Sequence, residues 1–157
     1  MLSTNLHDGW RQAHLGHWLQ QALQRFDARV LSLMARNVNV PLALSNLAAR
    51  GSLSASHVHI TRHLALDGLR LTDLAQRAAM TKQAMGKLVA QCEAWGLVER
   101  LADPRDARAK RIVFTAVGLV WLGAFREAVA QAEDELRAAV GRDVATVVAL
   151  GLEAYAS

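Results

Sequence analysis

A single cysteine, Cys92, in 157 residues excludes an intrachain disulfide framework and fits a reducing compartment. The chain is 52% hydrophobic, yet no stretch approaches the roughly 20 uninterrupted apolar residues that a membrane helix needs. Its first ten residues, MLSTNLHDGW, have neither the basic head nor the apolar run of a signal peptide. We therefore expect a soluble, cytoplasmic protein with no membrane partner. Also missing are a nucleophile elbow, a metal-protease helix and a glycine-rich phosphate loop, so the serines and histidines form no catalytic motif. No enzyme, catalytic residue or cofactor is expected. Internal repeats and low-complexity segments are absent too, and the length suits one domain able to bury a real core.

What is present is positive charge, unevenly spread. The net charge of +4 permits nucleic-acid binding without requiring it. Residues 67–111 hold Arg70, Arg77, Lys82, Lys87, Arg100, Arg105, Arg108, Lys110 and Arg111 against six acids. Beyond residue 111 the balance reverses, with Arg126, Arg137 and Arg142 facing six acids. A polyanion would meet the middle of the chain and not its C-terminal end.

Leu15, Leu19, Ala22, Phe26, Val30 and Leu33 step by three or four, which predicts one long amphipathic helix over residues 10–36. PLALSNLAARG reads as a short helix between Pro41 and Gly51, and Ser54 or Ser56 can cap another over 55–66. Thr72 is expected to cap a short helix running to Ala78, and Thr81 one running to Trp95; a link as tight as AAMT suggests a helix-turn-helix. LVERL and RIVFT read as two strands around a charged loop, and so as a two-stranded hairpin. Thr115 then caps a long helix with the stripe Leu122, Phe125, Val129, Ala132, Leu136 and Val140, and Asp143 opens a final one. Long terminal helices with apolar faces flank a middle too small to cover both, which points to a second copy of the chain as their cover.

On a wheel the helix from Thr81 to Trp95 puts Ala84, Leu88, Cys92 and Trp95 on one face and Lys82, Gln83, Gly86 and Ala90 on the other. Gln83 can pair with adenine, Lys82 can reach a guanine edge or a phosphate, and Lys87 suits a phosphate. Glycine inside a helix costs about 1 kcal/mol against alanine, and close approach to DNA is one reason to place Gly86 there. Beside this helix, DPRDARAKRIVFT concentrates Arg105, Arg108, Lys110 and Arg111. Arg108, at the expected hairpin tip, can enter a narrow minor groove, with Asp106 holding it in place.

The segment LRLTDLAQRAAMTKQAMGKLVAQCEAWGLVERLADPRDARAKRIVFTAVG resembles the winged helix-turn-helix core of the MarR family of bacterial transcriptional regulators. LTDLA, MTKQAMGKLV, GLVER and DPRDARAK together carry the resemblance. It implies a mainly α fold: residues 54–115 a winged helix-turn-helix with a two-stranded wing, residues 1–50 and 116–157 dimerisation helices, all in one domain. It also implies a homodimeric regulator, a repressor in the usual case, that binds a pseudopalindromic operator in double-stranded DNA under the control of a small-molecule effector. The family's Asp-x-Arg wing element falls on Asp106 and Arg108; Ala107 stands where a second arginine is frequent, which implies a weaker wing. The expected DNA contacts are Thr81, Lys82, Gln83 and Lys87 in the major groove, Arg105, Arg108 and Lys110 from the wing, and Thr72 on a phosphate. A dimeric interaction module that has lost DNA binding is the alternative that Ala107 leaves open.

Sensor candidates are fewer. Trp10 and Trp18 with His14 between them can line an aromatic-ligand pocket, although dimer core explains them as well. Arg11, Arg62 or Arg70 can hold a carboxylate. His59 and His63 share a helical face, His57 is near in sequence, and His14 and His17 are three apart, which are spacings that can bind zinc or copper in a metal-responsive regulator. No Cys or Glu cluster accompanies them, and hydrogen-bonded histidines are commoner, so no metal is assigned. Cys92, on an apolar helix face, reads as a small hydrophobe and not as a redox sensor.

Overall fold

The computed structural model describes residues 8–41, 44 and 55–157. A 3-10 helix, Asp8–Gln12, precedes α1, Leu15–Met34; then come α2 (Ala55–His63), β1 (Leu69–Arg70), α3 (Leu71–Arg77), α4 (Lys82–Ala94), β2 (Val98–Asp103), β3 (Asp106–Phe114), α5 (Ala116–Val140) and α6 (Arg142–Ala156). The order of elements follows the sequence expectation, with corrections at several boundaries.

The first helix is not continuous from residue 10. It restarts at His14, whose Nδ1 accepts a hydrogen bond from the His17 N–H at 3.2 Å and so satisfies one of the donors every helix start leaves orphaned. Past α1, the Asn37 side chain accepts from the Asn39 N–H at 2.9 Å and turns the chain. The short helix expected between Pro41 and Gly51 lies outside the described residues, apart from Pro41 and the buried Leu44, and so does Ser54. Ser56 falls inside α2, which ends at His63 and not at residue 66.

Thr72 does not cap α3. Arg70 occupies that position, making no side-chain cap bond, because Leu69 and Arg70 form a short strand that runs directly into the helix. The sheet therefore has three antiparallel strands in the order β1-β3-β2, one more than the hairpin alone, with Leu69 opposite Ile112 and Arg70 opposite Arg111. Gly68 makes this pairing feasible: its φ is +87°, and a Cβ there would sit 2.7 Å from the Ile112 carbonyl oxygen.

One contiguous core joins the layers. Val30 and Met34 of α1, Val58 and Ile60 of α2, Leu74 of α3, Met85 and Val89 of α4, Ile112 of β3 and Trp121, Ala124 and Ala128 of α5 are all buried in it. The buried face of α5 is Trp121, Ala124, Phe125, Ala128 and Ala132. Of the expected stripe, Leu122 and Val129 are half-buried and Leu136 and Val140 exposed. Three alanines on that face let α1 approach closely, and the Arg29 guanidinium grips the Glu135 carboxylate by two bonds of 2.7 Å across the pair. At the other end of α5 the Thr115 hydroxyl accepts from the Gly118 N–H at 3.0 Å, as the sequence predicts. Gly118 lies so close to the α4–β2 turn that a Cβ would come within 1.9 Å of the Leu97 carbonyl oxygen. Among the described residues no helix is long and apolar enough to cross a membrane.

Candidate nucleic-acid interface

Helix α4 begins as its sequence predicts, with the Thr81 hydroxyl accepting from the Ala84 N–H at 3.1 Å. The face it buries is Met85, Val89 and Cys92, an i, i+4, i+7 stripe. Ala84, Leu88 and Trp95 are only half-buried on its flank, one helical step from the expected seam. Lys82, Gln83, Lys87 and Ala90 face solvent, while Gly86 is half-buried, where a Cβ would meet Leu71 at an ordinary 3.7 Å. Close packing within the chain does not account for the glycine. Thr72 is exposed in the first turn of α3.

The hairpin is longer and tighter than the sequence suggested. Its turn is Pro104 and Arg105, so Arg105 stands at the tip and Arg108 lies on β3, two residues into the strand. Alternation along a strand puts Arg108 and Lys110 on one face. Asp106 restrains the backbone of Arg108 and not its guanidinium: its Oδ1 accepts the Arg108 N–H at 3.1 Å. A register irregularity between Ala102 and Asp103 brings the Asp103 side chain inward, where it is buried and its Oδ1 accepts the Arg105 N–H at 2.9 Å. Its other oxygen takes the Arg70 Nε–H at 2.7 Å, and these hydrogen bonds hold the Asp103 carboxyl below the usual range, the Arg105 backbone first and the Arg70 guanidinium second.

The cations of the middle segment divide sharply. Arg111 donates to the carbonyls of Asp67 and Gly68, the latter at 2.9 Å, and Arg100 pairs with Glu93 at 3.3 Å, so both serve the fold. Among the described residues no acid pairs with the side chains of Lys82, Lys87, Arg105, Arg108 or Lys110. All five are exposed. A helix with Lys82, Gln83 and Lys87 outward, followed by a strand-built projection carrying three unpaired cations, is equipped to hold phosphates and to offer side chains to base edges.

Residues 53–109 match the family model described as "MarR family". Over those residues the sequence is similar to a MarR-family winged helix. The family's transcription regulators bind DNA and are not enzymes. The chain's fold is that of solved MarR-type structures at low sequence identity. A transcriptional repressor, CouR, bound to a 23-mer DNA duplex shares 23% identity over 98% of this chain and 100% of its own, at a TM-score of 0.68. Wild-type MarR from E. coli in its apo form shares 21% over 90% and 96%, at 0.63. A MarR family protein of Mycobacterium tuberculosis in complex with salicylic acid shares 23% over 90% and 96%, at 0.60. No curated protein matches the chain.

On this MarR-type scaffold the sensor candidates scatter. Of Trp10, His14, Trp18 and Arg62, Arg62 lines an open groove of about 670 Å³ between α2 and α5, formed with Thr61, Leu119, Leu122, Phe125, Arg126 and Val129. Arg62 also bonds the buried Asp27 of α1 at 2.5 Å, and Trp121 donates to Thr61 at 3.3 Å beside it. Asp27 and Arg126 were not singled out from sequence: a lone acid on an apolar face and a lone arginine on a long helix carry no local signal. Trp10 and Trp18 are exposed, with the His14 ring 6.3 Å from Trp10 and the His17 ring 5.2 Å from Trp18.

The described histidines form no common site. His57 is buried, with its Nε2 2.7 Å from the Gln91 side-chain oxygen and its ring 4.8 Å from Trp95, a bridge from α2 to α4. His59 and His63 stack at 6.0 Å, and burial first, then His59, Arg62 and Arg77, push the His63 imidazole below its ordinary pKa. Among the described residues no three His, Cys, Asp or Glu side chains gather as metal ligands.

Proposed function

We propose that the chain is a homodimeric transcriptional repressor that reads a pseudopalindromic operator with α4 and the β2–β3 wing, and whose grip is modulated by a small molecule. The observation that carries the reading is that five exposed cations, without acid partners among the described residues, gather on a recognition helix and its adjoining wing, while the nearby Arg70, Arg100 and Arg111 are consumed by internal bonds. Lys82, Gln83 and Lys87, with the Thr81 cap, are assigned to the major groove, Arg105, Arg108 and Lys110 to the flanking minor groove and phosphates, Asp106 to ordering the wing, and Thr72 to a phosphate. The CouR structure, bound to a DNA duplex, supports the same use of the fold.

Dimerisation through residues 1–50 and 116–157 is supported by what those helices leave uncovered. Of α6 only Ala145 is buried, and Val144, Val147, Val148, Leu150, Leu152 and Tyr155 are exposed, as are Leu136 and Val140 of α5 and Trp10, Leu15 and Trp18 at the other terminus. Apolar surface on that scale is covered by a partner in soluble proteins, and a second copy is self-complementary. Two reading heads would then meet grooves roughly 34 Å apart. The groove of Arg62 and Arg126, with its apolar walls, suits a small carboxylate that both cations can face; the similar fold holding salicylic acid supports that class.

Binding to genomic fragments, including DNA beside the chain's own gene, over a salt series tests the reading. Sequence-selective binding that strengthens as salt falls is expected, and Arg108→Ala should weaken it on all sequences with a shallower salt dependence. Weak binding indifferent to sequence, unaltered by aromatic acids, would favour a dimeric interaction module.

A further inference from the structure

Arg70 belongs to no expected DNA contact, yet it stands at the junction of everything that has to be aligned. Its backbone pairs with Arg111 of β3, its position caps α3, and its guanidinium runs to the far end of the hairpin. There Nε meets Asp103 at 2.7 Å and Nη2 lies 3.8 Å from Asp106. Those two aspartates in turn accept the N–H groups of Arg105 and Arg108. One side chain thus ties the start of the helix-turn-helix to both carboxylates that set the backbone of the wing's arginines. At the root of the same hairpin Arg111 makes a second tie, to the carbonyls of Asp67 and Gly68, immediately before β1.

We propose that Arg70 is a positioning residue for DNA recognition: through Asp103 and Asp106 it fixes where the wing presents Arg105 and Arg108 relative to α4, without itself reaching DNA. The inference rests on the DNA-binding reading above. Its physical basis is geometric. A two-stranded ribbon is compliant and twists readily, and a flanking minor groove accepts an arginine only from a narrow range of approach. A planar guanidinium that engages two carboxylates removes that freedom, which a lysine's point charge cannot do as well. The fork also keeps two acids neutralised at the edge of a phosphate-binding surface, where a bare Asp103 or Asp106 would repel the backbone.

The test compares the full-length wild-type protein with Arg70→Met, Arg70→Lys, Asp103→Asn and Arg108→Ala on a fragment selected by the wild type. Arg70→Met is expected to weaken binding about tenfold or more and to lose hydroxyl-radical protection at the operator flanks, while protection in the central major grooves stays and the salt slope is unchanged. Arg70→Lys should recover part of the flank protection, and Arg108→Ala alone should reduce the slope by about one per contact. Without DNA, amide exchange at Arg105 and Arg108 should quicken in Arg70→Met and Asp103→Asn, and that of α4 should not. A slope lowered by about one with flank protection intact would make Arg70 a direct phosphate contact and overturn the proposal, as would unchanged exchange at Arg105 and Arg108. If the wild type selects no fragment, the DNA-binding reading itself fails and the inference goes with it.

Discussion

Removing Arg62 tests how the long helices are coupled to the reading head. Asp27 projects from α1 and is only 6% exposed, and its charge is met by Arg62 of α2, whose side chain keeps 28% of its surface in water. Deleting one partner of a fully buried ion pair costs about 3–5 kcal/mol, because the other charge is left unsolvated. Water that can follow the exposed edge of Arg62 into the gap reduces this, so we expect about 2–3 kcal/mol for Arg62→Met. Asp27→Asn leaves a neutral acceptor facing a cation that water still reaches, and about 1 kcal/mol is expected. The double variant Asp27→Asn/Arg62→Met has no stranded charge and should lose less than the two single losses combined. Urea unfolding at fixed protein concentration, with the slope held constant, gives each value. Additive losses would refute the reasoning, and so would Arg62→Met costing no more than an exposed pair, about 0–1 kcal/mol. The same variants speak to regulation: a carboxylate in the adjacent groove competes with Asp27 for Arg62, so salicylate-like ligands should stabilise the wild type more than Arg62→Met.

Burial pushes the Cys92 thiol up to about 12, so at pH 8 roughly one molecule in ten thousand carries the reactive thiolate; iodoacetamide should label Cys92 only as fast as the protein opens, and labelling at the rate of a free thiol would contradict its seat in the core. Ala79, exposed between α3 and α4, has a φ of +51°, which costs an L-residue about 1–2 kcal/mol; after the added chain entropy of glycine, Ala79→Gly should stabilise by about 0.5–1 kcal/mol in thermal unfolding, and a loss would show that the turn is not strained. The folded state resists protonating His63, whereas the unfolded chain takes that proton near pH 6.5. Its contribution to stability is therefore intact above pH 6.5 and lost as pH falls from there through the lower folded value. Urea midpoints between pH 7.5 and 5 should fall less steeply in His63→Gln, and parallel curves would show that His63 is not the group titrating.

Helical periodicity and hydroxyl caps made the order of elements legible from sequence, because both are local. Thr81 and Thr115 each cap the helix they precede. What was not legible depended on distant partners. Leu69 and Arg70 read only as the link that follows Gly68 until Ile112 and Arg111 of β3 pair with them. Periodicity carries the α5 stripe through Leu136 and Val140 because it reports apolarity and not which neighbour covers it; α1 takes the alanine-rich face and leaves those two outside. The wing cations are visible as a charge run, but DPRDARAK looks like loop and so suggests a hairpin tip later than the Pro104–Arg105 turn. Period-2 pairing in fact extends from Asp106, with Asp103 opposite it.

Charge alone also overstated the DNA-facing surface. Of nine cations in residues 67–111, Arg70, Arg100 and Arg111 are committed to Asp103, Glu93 and the Asp67 and Gly68 carbonyls, and Arg77 sits at the end of α3 beside His63. Lys82, Lys87, Arg105, Arg108 and Lys110 remain. Counterion release scales with the phosphates actually neutralised, by about 0.9 per contact on duplex DNA. A dimer whose phosphate contacts are these five from each protomer should therefore show a log–log salt slope of about −9, whereas all nine would allow about −16. On that reading the internal ion pairs lower the ceiling on non-specific affinity while fixing the wing proposed to make specific contact. On the proposed reading, selectivity comes from holding some arginines back from the DNA as much as from presenting others to it.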